Sequence, residues 1–133
     1  MTNQPSQKKI LLVDDDTFLL DMYSMKFTKS GYDVKVANST DVGLKMLHEG
    51  YIPDIMLVDI VMPGMDGLEM VMNIRKDKLV PLSTVVIMLT NQGSSDDVAR
   101  AQKMTVDGYI VKATTIPSEV LKEVEKICAS KKS

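Results

Sequence analysis

Side chains that could take part in catalysis or metal binding follow four of the short apolar runs in this chain, at the point where each run ends. The run Asp14–Asp16 follows the first, and Asp59 follows the third. Thr90 follows the fourth and Lys112 the fifth. Carboxylate oxygens are the ligands that Mg²⁺ prefers, and a carboxylate beside cations can attack an electrophilic phosphorus. These types therefore indicate phosphoryl chemistry assisted by a hard divalent cation.

Each residue also has an ordinary structural explanation. Asp16 is well placed to cap a helix, and Asp59 could open a turn before Pro63–Gly64. Thr90 could be a second cap and Lys112 a surface charge. These explanations do not account for the convergence of acids, a hydroxyl and an amine on one edge of a sheet, which is where the ends of parallel strands would place them. Neighbouring carboxylates repel one another and resist ionisation unless a cation compensates them.

The composition favours magnesium over zinc at such a site. The chain has one histidine, His48, and one cysteine, Cys128, so no cluster of nitrogen and sulfur ligands is available for zinc. In the predicted arrangement, Asp59 stands alone between the acid pair Asp14–Asp15 and Lys112. It is therefore the predicted nucleophile, because cations on both sides would neutralise the charge that develops on phosphoryl oxygens.

The apolar runs predict the elements that hold these residues. Five runs alternate with helical patterns, which indicates βαβ units and a parallel sheet. The first, third and fourth runs are apolar at every position, as expected for strands covered on both faces, whereas the second alternates like an edge strand. We therefore expect a flavodoxin-like, doubly wound α/β fold with strand order 2-1-3-4-5 and five helices. The predicted strands are Ile10–Val13, Val34–Ala37, Ile55–Val58, Val85–Leu89 and Tyr109–Val111.

Capping residues and periodicity predict the helices. The first runs from Thr17 to Ser30 and the second from Ser39 to Gly50; the third opens near Asp66, the fourth after a Ser-Ser-Asp-Asp start at 94–97, and the last at Pro117. The apolar positions predict the face that each helix packs inward. These are Phe18, Met22 and Met25 with Leu19, Tyr23 and Phe27; Val42, Met46 and Leu47; Leu68, Val71 and Met72; Val98, Ala101 and Met104; and Val120, Leu121, Val124, Ile127 and Cys128.

Length and composition predict one domain over residues 9–129, with polar tails at 1–8 and 130–133. The chain has 133 residues, of which 44% are hydrophobic, and its net charge is −2. Its basic residues are scattered, which argues against direct nucleic-acid binding. A single cysteine, a polar start and no apolar run near the ~20 residues that span a bilayer predict a cytoplasmic protein without a membrane segment.

The motifs resemble the receiver domain of two-component response regulators, of the stand-alone, chemotaxis-regulator-like kind. The resemblance runs from ILLVDDD at Ile10, through VDIVMPGMDG at Val58 and VIMLT at Val86, to DGYIVK at Asp107. It implies a signalling switch, without turnover of a separate substrate, that acts as a monomer or weak dimer. A sensor histidine kinase or phosphotransfer protein would be the phosphodonor, and a downstream protein would read the output.

The resemblance also implies a role for each residue at the metal site. Asp59 would accept the phosphoryl group and, together with Asp15, ligate Mg²⁺ directly. The backbone carbonyl of Val61 would be a further ligand, and Asp14 would act mainly through a bound water.

A second set of residues would read the phosphoryl group. Lys112 would pair with its oxygens and Thr90 would hydrogen-bond to it, drawing its own loop inward. Tyr109 would then change rotamer to fill the space vacated. The face formed by the fourth helix, the fifth strand and the fifth helix would carry the signal to the partner.

Three departures from the family pattern bear on switching rather than on phosphorylation. Ala113 stands where a proline reached through a cis bond is usual, and a cis bond before alanine costs about 2.5–4 kcal/mol. Asn91 is bulkier than the usual small residue after Thr90, and MTVDGY lacks the usual Gly-Ala turn before the fifth strand.

Two other classes of protein compete with the receiver interpretation. The first is a haloacid-dehalogenase-type phosphatase, which needs a second Asp two residues after Asp59, where this chain has Val61. The second is a phosphorylation-independent interaction module on the same fold, which remains the alternative.

Overall fold

Five parallel strands form one sheet in a computed structural model that describes residues 8–90, 99–100, 106–111 and 116–132. The order is β2-β1-β3-β4-β5, so the predicted flavodoxin-like topology is confirmed. Each strand begins or ends within a residue of its predicted bounds. The strands are β1 (Lys9–Val13), β2 (Asp33–Ala37), β3 (Ile55–Asp59), β4 (Val85–Thr90) and β5 (Gly108–Val111).

Four helices connect or follow these strands in the described part of the chain, against five predicted. The fourth predicted helix lies outside the described residues, apart from Ala99 and Arg100. Among the helices that are described, none is long and apolar enough to cross a membrane. The helices are α1 (Thr17–Lys29), α2 (Thr40–His48), α3 (Gly67–Lys76) and, for the last of the predicted five, α4 (Pro117–Lys132).

The sheet separates two hydrophobic cores. Successive side chains of a strand point to opposite faces, so β1 sends Leu11 and Val13 to one core and Ile10 and Leu12 to the other. The first core packs against α2 and α3, and the second against α1 and α4. All residues of β3 and β4 are buried, which confirms that the apolar runs are central strands covered on both faces.

Helix α1 packs on only part of the predicted face: Tyr23 and Phe27 lie inward as predicted, but Phe18 and Met25 do not. Its buried residues are Leu20, Tyr23 and Phe27, whereas Phe18 is 69% exposed and Met25 is 67% exposed. Both faces are apolar with helical spacing, so periodicity alone does not choose between them. The face with two aromatic rings removes more apolar surface from water when it is buried.

The other described helices confirm most of the predicted inward positions. Leu47 of α2 is buried, as are Leu68 and Val71 of α3, but Val42 and Met72 are exposed and were wrongly placed. Gly43 and Met70 occupy the space between α2 and α3, because a glycine lets the two helices approach closely. The predicted face of α4 is confirmed: Val120, Leu121, Val124 and Cys128 are buried, and Ile127 packs against them.

The last turn of α4 is fastened to the sheet through Lys131. Its ammonium donates to the carbonyl of Leu82 at 2.7 Å and to that of Thr84 at 3.1 Å. It also pairs with the Asp107 carboxylate at 3.1 Å. An ammonium has three protons to donate, so these partners use all of them. The helix continues beyond residue 129, where the predicted domain ends.

Candidate functional site

Three aspartates meet where β1 and β3 end. Asp14 follows β1, Asp59 is the last residue of β3, and the two strands are hydrogen-bonded neighbours. One carboxylate oxygen from each of Asp14, Asp15 and Asp59 lies within 4.8 Å of the other two. Asp14 and Asp59 are each 1% exposed, while Asp15 is exposed. The structure thus brings together the acids that the sequence placed at this edge.

This donor set fits a hard cation. Two buried carboxylates beside a third repel one another unless a cation shares the site. Mg²⁺ takes oxygen ligands and is usually held by one or two carboxylates and several waters. A cluster of two buried acids and one solvent-facing acid provides such ligands and leaves a side open to water and a phosphate oxygen.

Asp16 has the capping role predicted for it. Its Oδ1 accepts from the backbone N–H of Leu19 at 3.2 Å, at the start of α1. The backbone N–H of Asp16 in turn donates to Oδ1 of Asp14 at 2.9 Å. That bond orients the Asp14 carboxylate, because one of its oxygens is held toward the turn. Asp14 and Asp15 are therefore the members of the acid run that face the cluster.

Gly67 holds the loop after Asp59 in place, a role that the sequence reading missed. Its N–H donates to the carbonyl of Ile60 at 2.8 Å, and the N–H of Ile60 donates to that of Leu89 at 3.0 Å. A Cβ atom at Gly67 would overlap the carbonyl oxygen of Asp59. The first residue of α3 therefore packs directly on the backbone of Asp59, and only glycine permits that approach. In the sequence, a glycine directly after the helix-capping Asp66 is the feature that could have indicated this close approach.

Thr90 and Tyr109 point to the same face of the sheet. Thr90 pairs with Val111 and Met88 pairs with Tyr109 in the parallel ladder between β4 and β5. Paired residues share a face, and so do residues two apart along a strand. Thr90 is fully buried, and its Oγ1 makes no hydrogen bond within the described part of the chain; Tyr109 is 39% exposed. This placement fits the predicted coupling of the two side chains.

The remaining predicted site residues are placed less fully. The side chain of Val61 is 55% exposed in the loop that follows β3, which suits a residue whose backbone is its functional part. Lys112, the predicted phosphoryl-binding amine, lies outside the described residues. Asn91 and Ala113, the departures expected to affect switching, lie outside them too. His48 is exposed at the end of α2, as expected for an ordinary helix histidine.

Asp66 is the N-cap of α3 and links it to a distant part of the chain. Its Oδ1 accepts from the N–H of Glu69 at 2.9 Å, and the Glu69 carboxylate accepts from the N–H of Asp66 at 3.2 Å. This reciprocal capping box fixes the Asp66 side chain. Its Oδ2 lies 3.0 Å from Nη2 of Arg100. The cap was predicted, but the ion pair was not.

Two tyrosines away from the acid cluster have perturbed ionisation. Burial raises the pKa of Tyr32 to about 12, and the negative charge of Glu125 adds to the effect. Burial also raises the pKa of Tyr51 to about 12, with Asp33 and Asp54 contributing. Both hydroxyls are therefore neutral well above neutral pH, and neither takes part in the chemistry of the acid cluster.

Comparison with known proteins agrees with this geometry. A family model described as "Response regulator receiver domain" matches residues 10–125. A CheY-like response regulator receiver domain protein from Methanospirillum hungatei is 31% identical, with a TM-score of 0.82 over 96% of this chain and 98% of its own. The chemotaxis response regulator CheY4 of Vibrio cholerae is 26% identical, with a TM-score of 0.82 over 92% of this chain and 99% of its own. A receiver domain protein from Clostridium thermocellum is 26% identical, with a TM-score of 0.79 over 94% and 97%.

Proposed function

The chain belongs to the response regulator receiver domain family, and from that premise we propose that it is a signalling switch whose phosphoacceptor is Asp59. The observation that carries this proposal is the meeting of two buried carboxylates, Asp14 and Asp59, with the exposed Asp15 at the ends of β1 and β3. Burying two acids side by side is unfavourable for stability alone, and such clusters mark functional sites.

The residues that would hold Mg²⁺ are Asp14, Asp15, Asp59 and the backbone carbonyl of Val61. When bound, the cation supplies positive charge that offsets the charge developing on the phosphoryl oxygens. Asp15, the exposed member, would contribute its carboxylate from the solvent side of the site. The bond from the N–H of Asp16 holds Asp14 in one orientation, so this member of the acid cluster is oriented before any ligand arrives.

The proposed transfer uses the carboxylate of Asp59 as the nucleophile. A carboxylate oxygen attacks the phosphorus of a phosphohistidine, forming an O–P bond while the P–N bond breaks. The electron pair leaves with the imidazole nitrogen of a histidine kinase or phosphotransfer protein, which takes up a proton. Lys112 would pair with the phosphoryl oxygens, and the Thr90 hydroxyl would donate a hydrogen bond to one of them.

The output of the switch is a change of surface rather than turnover of a second substrate. The Thr90 hydroxyl would move toward the phosphoryl group, and Tyr109, on the same face of the sheet, would turn inward. The surface formed by β5, α4 and the connection before β5 would then favour one of two arrangements. A downstream protein in the cytoplasm would bind one of them, with the receiver as a monomer or weak dimer.

The first prediction tests the phosphoacceptor. With Mg²⁺ and acetyl phosphate, the wild-type protein should gain one phosphoryl group by intact-protein mass spectrometry. Asp59→Asn should gain none, because an amide oxygen is not nucleophilic enough to replace a carboxylate. Removal of Mg²⁺ with EDTA should abolish the gain as well. Asp77→Asn, at an exposed aspartate that ends α3, is the matched control and should behave like wild type.

Persistence of the phosphoryl group in Asp59→Asn would overturn the assignment of the nucleophile. Absence of phosphorylation in the wild type, with partner binding retained, would favour the phosphorylation-independent interaction module instead.

A further inference from the structure

We propose that a cleft at the end of the sheet opposite the acid cluster binds a small aliphatic carboxylate, with Lys78 as its cation. This site is separate from the proposed phosphoacceptor site and does not depend on it. The cleft has a volume of about 690 Å³, and its lining includes Ile52 and Leu82. These two residues lie shortly before β3 and β4 begin, whereas Asp59 is the last residue of β3. The length of β3 therefore separates the cleft from the aspartates.

The lining of the cleft is mostly apolar and carries positive charge. Ile52, Leu79 and Leu82 contribute aliphatic side chains, and Ile52 is 52% exposed and Leu82 72% exposed. The charged residues of the lining are Arg75 and Lys78, and no acid is among the described residues that line it. Sites for small molecules commonly have this volume, with apolar walls and a few polar groups that fix orientation. An anion with an apolar body complements such a cleft.

Lys78 occupies a backbone conformation that favours glycine. Its φ is 52°, the only positive φ at a residue other than glycine in the described part of the chain. The equivalent positions after α1 and α2 are glycines, Gly31 with φ 96° and Gly50 with φ 103°. The same pair of backbone hydrogen bonds closes all three helices. A lysine here costs stability that a glycine would not, which points to a role for its side chain.

The two segments that line the cleft before β3 and β4 are tied to each other. The hydroxyl of Thr84 donates to the carbonyl of Pro53 at 2.8 Å, and the N–H of Thr84 donates to that of Pro81 at 3.0 Å. Lys131 holds the carbonyl of Leu82 at 2.7 Å. These walls are therefore in place without a ligand, so a ligand loses little free energy in ordering them.

The size and charge of the cleft identify the kind of occupant. Seven residues line it, whereas a stable protein interface takes about 20–30 residues from each side, so a small molecule fits better than a protein. Lys78 is exposed and forms no ion pair with another described residue, while Nε and Nη1 of Arg75 are buried. A monoanion matches one exposed ammonium, and the aliphatic walls match an alkyl chain. A carboxylate with a short alkyl chain combines both features.

The test titrates sodium octanoate into ¹⁵N-labelled full-length protein, without Mg²⁺ or a phosphodonor. Amide shifts should centre on residues 75–82 and Ile52, with a Kd below about 1 mM. Octanol lacks the charge and should bind at least about threefold more weakly. Acetate lacks the alkyl chain and should bind at least about tenfold more weakly. Equal affinity for octanol, shifts centred elsewhere, or no shifts at millimolar octanoate would overturn the proposal.

Variants at position 78 separate the cation from the backbone that carries it. Lys78→Gln removes the charge and should raise the Kd for octanoate about two- to fivefold. Lys78→Gly should raise the Kd similarly while it raises the urea midpoint of unfolding, because glycine adopts this φ without strain. The loss of affinity is then not a loss of folding. Lys78→Arg keeps the charge and should stay within about twofold of the wild-type Kd.

Lys76→Gln is the matched control, since Lys76 is an exposed lysine in the last turn of the same helix and is not among the lining residues. It should leave the Kd for octanoate unchanged. An unchanged Kd in both Lys78→Gln and Lys78→Gly would overturn the role of Lys78. An equal rise in Lys76→Gln would do so too, because it would show a general effect of charge rather than a site.

Discussion

At the scale of single residues, the backbone of Asp59 is as constrained as its side chain. Gly67, the first residue of α3, leaves no room for a Cβ atom beside the carbonyl oxygen of Asp59. The orientation of the proposed nucleophile therefore depends on a neighbour that carries no functional group. Such a dependence links the stability of α3 directly to the geometry of the site.

Gly67→Ala should destabilise the protein by about 1–3 kcal/mol, because α3 must shift away from the Asp59 backbone. Alanine is otherwise a better helix former than glycine, so the sign of the effect is diagnostic. Urea unfolding measures the change. The matched variant is Gly43→Ala in α2, where the added Cβ meets the flexible end of Met70 at 2.7 Å. It should cost clearly less, and equal losses in the two variants would contradict this account.

The two perturbed tyrosines predict a loss of stability at alkaline pH. Their folded pKa values of about 12 exceed the ordinary value of 10.0, so the unfolded chain loses these protons first. This contribution is fully present below pH 10.0 and is lost as pH rises through about 12. Urea unfolding between those values should show a falling midpoint. Tyr51→Phe should flatten the fall, and an unchanged slope in a Tyr32→Phe/Tyr51→Phe double variant would contradict the assignment.

The same substitution makes a second expectation for Tyr51 near neutral pH. Its hydroxyl is buried and finds no hydrogen-bond partner among the described residues. Removing a buried polar group that lacks a partner is neutral or favourable. Tyr51→Phe should therefore not reduce the free energy of unfolding at pH 7.

At the scale of elements, the strands were predictable and the helix faces were less so. Short, continuous apolar runs that alternate with helical patterns indicate central strands. The capping side chains of Asp16, Ser39 and Asp66 indicate where helices begin. Helix α1 carries two apolar faces, and only the packed structure shows that, of the residues predicted to lie inward, Tyr23 and Phe27 are buried while Phe18 and Met25 are exposed.

The acid cluster was predictable from the rule that ligands bind beyond the carboxyl ends of parallel strands. The Arg100–Asp66 pair was not, because it joins distant segments through side chains that have no periodic pattern. The close approach of Gly67 to Asp59 likewise depends on how a loop folds back, which no spacing rule fixes.

The prediction at this scale concerns the contacts that Lys131 makes at the end of α4. Lys131→Met should lower the free energy of unfolding by about 1–2 kcal/mol, since Asp107 would keep only the N–H of Val86 as a described partner. Partial exposure of both side chains keeps the loss at this level. Lys126→Met, at an exposed position of the same helix, is the control and should be nearly neutral. Similar stability of the two variants would show that the contacts of Lys131 contribute little to the free energy of unfolding.

At the scale of the whole molecule, Asn91 and Ala113 are expected to limit how far the switch propagates. With Mg²⁺ and beryllofluoride, amide shifts should concentrate near Asp59 and Thr90 and decline along β5 and α4. The physical reasons are the bulk of Asn91 beside Thr90 and the cost of a cis bond before alanine. An Asn91→Ala/Ala113→Pro variant should show larger shifts in those elements. Large shifts throughout the wild-type protein would contradict the expectation.

The division of the interior by the sheet also affects how this protein can change over generations. Among the described residues, the core beneath α1 and α4 and the core beneath α2 and α3 form separate clusters, because the sheet lies between them. Substitutions in one compartment should combine with those in the other by simple addition of their effects. The residues of each core can then be substituted or redesigned separately. The strand ends that carry the aspartates border both cores, so substitutions on either side must preserve them.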